Sequence, residues 1–82
     1  MNDIKKYHTK HPLCEVDGCI RPSTQIHHIR TRGAGGEDDP ENLLALCTEH
    51  HGMIHAMGVK TVANAWKGLT MKIADAIKRP KN

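Results

Sequence analysis

Gln25-Ile26-His27-His28-Ile29 and, after a loop, Asn42-Leu43-Leu44-Ala45-Leu46-Cys47-Thr48-Glu49-His50-His51-Gly52-Met53-Ile54-His55 are the stretches that decide the fold. The first alternates enough to be a short strand, which turns the rings of His27 and His28 to opposite faces. The second begins as a mostly apolar strand, Asn42 to Cys47, and then changes period. Thr48 is the expected N-cap of a short helix, Glu49 to Met57, that stops at Gly58. On that helix His51 and His55 are four apart and share a face. Between the strands, Gly33-Ala34-Gly35-Gly36 followed by Glu37-Asp38-Asp39-Pro40-Glu41 predicts a flexible connection. Imidazole and thiolate bind zinc-like ions better than any other side chains, so this crowding of His and Cys points first to metal chemistry.

The rest of the chain sets the bounds. Its 82 residues suit one domain, and with no Phe, one Trp and one Tyr there is little aromatic mass for a core. Small domains in that position commonly add disulfides or a structural ion. Three cysteines are an odd number, and no apolar leader follows Met1, so disulfides are not expected and a reduced, cytoplasmic setting is. Cys14-Glu15-Val16-Asp17-Gly18-Cys19 predicts instead a tight turn that brings two thiols together. No segment is long and apolar enough to span a bilayer. The formal charge of +3 favours a polyanionic partner only weakly. Its distribution says more: acidic residues gather at 37–41, whereas Arg30 and Arg32 follow the double histidine and Lys60, Lys67, Lys72, Lys78, Arg79 and Lys81 lie downstream.

Three segments are expected: a polar arm over 1–12, a core over 13–58 and a helical cover over 59–82. The arm reads as a tail or a loosely docked element, with His8 and His11 exposed to solvent. In the cover, Val59, Val62, Ala63, Trp66, Leu69, Ile73, Ala74 and Ile77 recur at helical spacing, and Gly68 is where it would split into two helices.

Strand with His-His, glycine-rich loop, Asn42 at the start of a second strand, and helix with His-x3-His together resemble the ββα-metal finger of HNH endonucleases over about Cys14 to Gly58. The fold that the resemblance implies is small and α+β: an antiparallel hairpin plus a helix, a zinc knuckle and one or more C-terminal helices. It further implies that His28 is the general base, that Asn42 orients the loop and that base, and that His27 and His51 bind a catalytic divalent ion, with His55 in the place of a third ligand. The ion would be Mg²⁺ or Mn²⁺, although an imidazole set also accepts Zn²⁺ or Ni²⁺. DNA cleavage leaving 5′-phosphate and 3′-hydroxyl ends would follow. The chemistry is consistent with the residues, since neutral imidazole is suited to taking a proton from water near neutral pH and a histidine does so only if it is not itself a ligand.

Cys14, Cys19, Cys47 and His50 form a second set. Many HNH proteins hold a structural zinc with two Cys-x2-Cys knuckles; this chain departs from that pattern with Cys-x4-Cys and Cys47-x2-His50, yet Cys3His is an accepted closed zinc site. Successive helix residues diverge by about 100°, so His50 and His51 can serve different ions. Arg30, Arg32 and Lys60 are candidate phosphate contacts. Small stand-alone proteins of this type are similar to those of bacteriophages, which implies a bacterial host cytoplasm and packaging or recombination proteins as partners, for a monomer or weak dimer. The alternative function is a zinc-bound DNA- or protein-binding module without turnover. Metal storage fits less well, because sequestration does not call for a basic flank.

Overall fold

β1 (Gln25–His28) and β2 (Leu43–Leu46) pair antiparallel in a two-stranded sheet, with Gln25 opposite Leu46, Ile26 opposite Ala45, His27 opposite Leu44 and His28 opposite Leu43. The computed structural model describes residues 3–31, 33 and 35–78; Arg32, Arg79 and Lys81 lie outside them. Every residue of β2 is fully buried. This explains why the strand reads as a continuous apolar run: both of its faces are covered. Leu43 and Ala45, with Ile26 packed against them, face Tyr7 of an N-terminal helix, α1 (Asp3–Lys10). Leu44 and Leu46 face the main core, built with Ile54, Val62, Trp66 and Ile73.

The helix after β2, α2, runs Thr48–Met57. Its N-cap is Cys47 rather than Thr48: Cys47 is extended (φ −74°, ψ 169°) and its Sγ accepts from the His50 backbone N–H. The sequence reading favoured the hydroxyl as the better capping group, but the thiol already lies beside the helix end. Gly58 ends α2 at φ +90°, and its N–H donates to Ile54 O. Two further helices, α3 (Val59–Ala65) and α4 (Thr70–Lys78), cover the sheet, joined through a 3₁₀ turn at Lys67–Leu69. The split begins two residues earlier than Gly68, because Trp66 has left the helical region (φ −98°, ψ 82°). Of the expected apolar stripe, Val62, Ala63, Trp66, Leu69 and Ile73 are buried, as is Ala76 instead of Ala74. The fold is thus small and α+β, a hairpin followed by a helix with further C-terminal helices, consistent with a ββα-metal finger.

The expected loose arm is instead the helix α1, seated by one residue. Tyr7 is buried; its hydroxyl donates to Glu15 Oε2 and accepts from Lys72 Nζ at 2.6 Å. Glu15 Oε2 also accepts the Ala45 N–H at 2.8 Å, and Lys72 Nζ stands 4.9 Å from the Tyr7 ring centroid. Burial, then the Glu15 carboxylate, push the phenol well above its ordinary pKa, so it stays a donor. His11 stacks on Tyr7 and donates to its carbonyl, and His8 donates to Ser23 O at 2.9 Å. Both histidines are therefore partly buried and tied to backbone oxygens rather than simply exposed. Tyr7→Phe would leave the Glu15 carboxylate and the Lys72 ammonium each short of a partner. We expect it to cost roughly 1–3 kcal/mol, seen as a lower urea midpoint; an unchanged midpoint would mean that this network holds nothing in solution.

Candidate functional site

Cys14 and Cys19 come from the turn before β1, Cys47 from the end of β2 and His50 from the first turn of α2, and one ligand atom from each lies within 4.8 Å of the others. Three of the edges are Cys14 Sγ to His50 Nδ1 at 3.5 Å, Cys47 Sγ to His50 Nδ1 at 3.2 Å and Cys19 Sγ to Cys47 Sγ at 3.9 Å. A tetrahedron with arms of about 2.3 Å to sulfur and about 2.0 Å to nitrogen has edges of about 3.5–3.8 Å. The donor set therefore fits zinc in kind and in spacing. The three cysteines are free, and the Cys19 and Cys47 sulfurs, 3.9 Å apart, are far beyond the ~2.05 Å of an S–S bond. Burial pushes the Cys14 thiol up to about 11. Burial acts on Cys47 in the same sense and is the largest single influence, but the His50 N–H, the His50 ring and the neighbouring thiols together outweigh it and lower Cys47 to about 6. The thiolate form of Cys47 is thereby favoured over that of an ordinary cysteine. The His50 ring meets Trp66 edge-on, centroids 5.5 Å apart, so the residue that ends α3 packs against this candidate ligand.

A second group is built from β1 and α2. His27, His51 and His55 bring one nitrogen each to within 4.8 Å of one another. Their rings stand edge to face, with centroids 5.6, 5.4 and 4.5 Å apart, and His51 Nε2 lies 3.2 Å from His55 Nε2. Lone pairs converging at that distance suit two ligands of one ion with bonds of about 2.0–2.1 Å. Burial, then the neighbouring imidazoles, lower His27 to about 4, and burial and His55 lower His51 in the same direction. Both shifts favour the neutral ring, the form in which imidazole is a ligand. The sign for stability follows. Folded His27 titrates at about 4, whereas an unfolded histidine does so at about 6.5. As pH falls through that window, the unfolded chain takes up a proton that the fold refuses, so the stability held above it is progressively lost. Denaturant midpoints followed from neutral pH down to about 4 should fall less steeply in His27→Gln than in the wild type; equal slopes would rule His27 out as the source.

His28 belongs to neither group. Its Nε2 lies 2.6 Å from Asp38 Oδ1. Yet His28 and His27 open into one cleft of about 470 Å³, lined also by Ile4, Ile26, Thr31 and His55. The two faces of β1 meet there because a strand of a two-stranded sheet has a free edge: α1 supplies one wall through Ile4 and α2 the other through His55.

Asn42 is buried, and its side-chain amide is engaged by backbone groups of the loop. Its Oδ1 accepts the Arg30 N–H at 2.8 Å, and its Nδ2 donates to Arg30 O and to Glu37 O, both at 2.9 Å. It clamps the two ends of the interstrand loop. Gly36 is needed there, because a Cβ would stand 1.8 Å from Arg30 O and 2.9 Å from Asn42 Nδ2. Gly36→Ala must displace backbone, so we expect a loss of about 1–3 kcal/mol, read as a lower thermal midpoint. Retained stability would show that the loop does not approach Arg30 so closely.

Of the expected phosphate contacts, Arg30 is partly buried beside the Asn42 clamp, Lys60 is exposed on α3, and Arg32 lies outside the described residues. Three features escaped the sequence: Asp38, which merely looked like part of an acidic loop, Trp66 against His50, and α1 as a cleft wall.

A family model described as HNH endonuclease matches residues 12–57, more than half of the chain, so the protein belongs to the HNH endonuclease family. Membership implies a phosphodiester hydrolase with DNA as its substrate. No curated protein and no solved structure matches it. Among the described residues, no helix is long and apolar enough to cross a membrane.

Proposed function

We propose that this protein is a metal-dependent endonuclease that hydrolyses DNA at the His27, His28 and His55 cleft, leaving 5′-phosphate and 3′-hydroxyl ends. The observation that carries the reading is a division between neighbours: His27 joins His51 and His55 in a ligand group, while His28 stays out of it and faces the same cleft. His27, His51 and His55 would hold Mg²⁺, Mn²⁺, Ni²⁺ or Zn²⁺. What a divalent cation supplies there, when bound, is charge stabilisation at the phosphoryl and departing oxygens. His28 takes the proton of the attacking water as general base. Asn42 keeps the loop beside it in place. Arg30 and Arg32 contact phosphates beside the scissile one, and Lys60 is a further candidate contact. Cys14, Cys19, Cys47 and His50 hold a structural zinc that ties the knuckle to the hairpin and to α2. Phage packaging or recombination proteins as partners rest on the resemblance alone.

The test is supercoiled plasmid incubated with the zinc-loaded protein and each of the four ions in turn. Conversion to the open-circular form, with product ends that ligase can reseal, is expected. Folded, zinc-loaded protein that yields no product with any ion would leave the non-catalytic binding module in its place.

A further inference from the structure

We infer that Asp38 is a positioning residue that holds the His28 ring in the one tautomer able to activate water. The inference rests on the hydrolytic reading above and adds a residue to it. The contact is a 2.6 Å approach of Asp38 Oδ1 to His28 Nε2, between side chains 33 % and 18 % exposed. An ionised carboxylate only accepts hydrogen bonds, so the hydrogen between these atoms belongs to Nε2. A neutral imidazole carries one hydrogen; with Nε2 protonated, the lone pair is on Nδ1. Asp38 therefore determines both which nitrogen is the base and how the ring is turned.

The loop is built to keep Asp38 at that distance. Asn42 donates to the carbonyl of Glu37, the residue before Asp38, and grips Arg30, two residues beyond His28, through both its N–H and its carbonyl. The Gly36 N–H donates to Thr31 O at 2.8 Å, closing the same loop. A buried amide thus fixes the span between the base and its carboxylate, and Asn42 reaches His28 through Asp38. When water attacks, its oxygen bonds to phosphorus and the bond from phosphorus to the 3′ oxygen breaks. The water's proton goes to Nδ1, while the Nε2 hydrogen stays between His28 and Asp38. The imidazolium so formed faces a carboxylate, and that pairing is stronger with the ring charged than with it neutral. The departing oxygen takes a proton from solvent, and His28 later returns its own to solvent.

Asp38→Asn and Asp38→Glu, made in the full chain with zinc loaded and an unchanged circular dichroism spectrum, separate this role from a surface ion pair. Under saturating DNA and Mn²⁺, Asp38→Asn should lower kcat by about 10–100-fold, the scale of losing a group that orients an imidazole, with KM and Mn²⁺ affinity unchanged. Asp38→Glu should recover much of the loss. Nitrogen-15 spectra of the His28 ring should show one dominant tautomer, protonated at Nε2, in the wild type and a mixture in Asp38→Asn. Wild-type turnover by Asp38→Asn, a loss confined to KM or to Mn²⁺ binding, or a mixed tautomer in the wild type would each overturn the inference. Cleavage that survives Asp38→Asn overturns this inference alone, whereas a wild-type protein that cleaves nothing overturns the hydrolytic reading beneath it as well.

Discussion

Stripping the zinc, or replacing Cys47 with Ser, is expected to unfold the domain. The four donors come from the knuckle, the end of β2 and the start of α2, so one ion would join all three segments at a single point. The apparent binding free energy of a structural zinc is about 10–16 kcal/mol, while whole domains are stable by only about 5–15 kcal/mol. A core with one Trp and no Phe has no surplus to absorb such a loss. The serine variant is the informative one. Its oxygen retains the ability to cap α2, a feature worth about 0.5–2 kcal/mol, but it is a poor zinc ligand. A collapse much larger than the cap accounts for therefore points to the metal. Metal analysis and far-ultraviolet circular dichroism, before and after exhaustive chelation, provide the check; a zinc-free protein with the same melting curve would refute the staple.

His28→Ala is expected to reduce DNA cleavage by about 10²–10⁴-fold, the usual contribution of a general base, while both metal groups keep their ions. His28 lies outside both clusters, on the sheet face opposite His27. His27→Ala should fail differently: there the ion itself binds more weakly, and excess metal restores part of the rate. Metal stoichiometry by mass spectrometry distinguishes the two cases. If His28→Ala also sheds the ion of the histidine group, then His28 is a ligand and the division of labour between the neighbours is wrong.

The resemblance in the sequence extended to the family and to both ligand groups because the geometry that assembles them is short-range. Strand alternation separates His27 from His28, a four-residue helical step pairs His51 with His55, and a tight turn gathers Cys14 and Cys19. Each of these is set within a few residues, and each cluster then needs only the hairpin to close. Thr48 against Cys47 as the cap of α2 shows the limit even at short range. Propensity ranks a hydroxyl above a thiol, but the position of the chain at the end of β2 places the thiol at the helix end.

What the sequence by itself determined about this protein is therefore its local periods and donor spacings, hence the ββα core and the residues that gather into its two donor groups. Tertiary structure alone decided that the N-terminal segment is a docked helix, that Trp66 packs against His50, and that Asp38 meets the His28 ring. The physical reason is separation along the chain. Tyr7 and Lys72 are 65 residues apart, and Asp38 reaches His28 across a loop whose path is set by a buried amide. No periodicity encodes such pairs; they exist only once the hairpin and the covering helices have brought distant side chains within hydrogen-bonding distance.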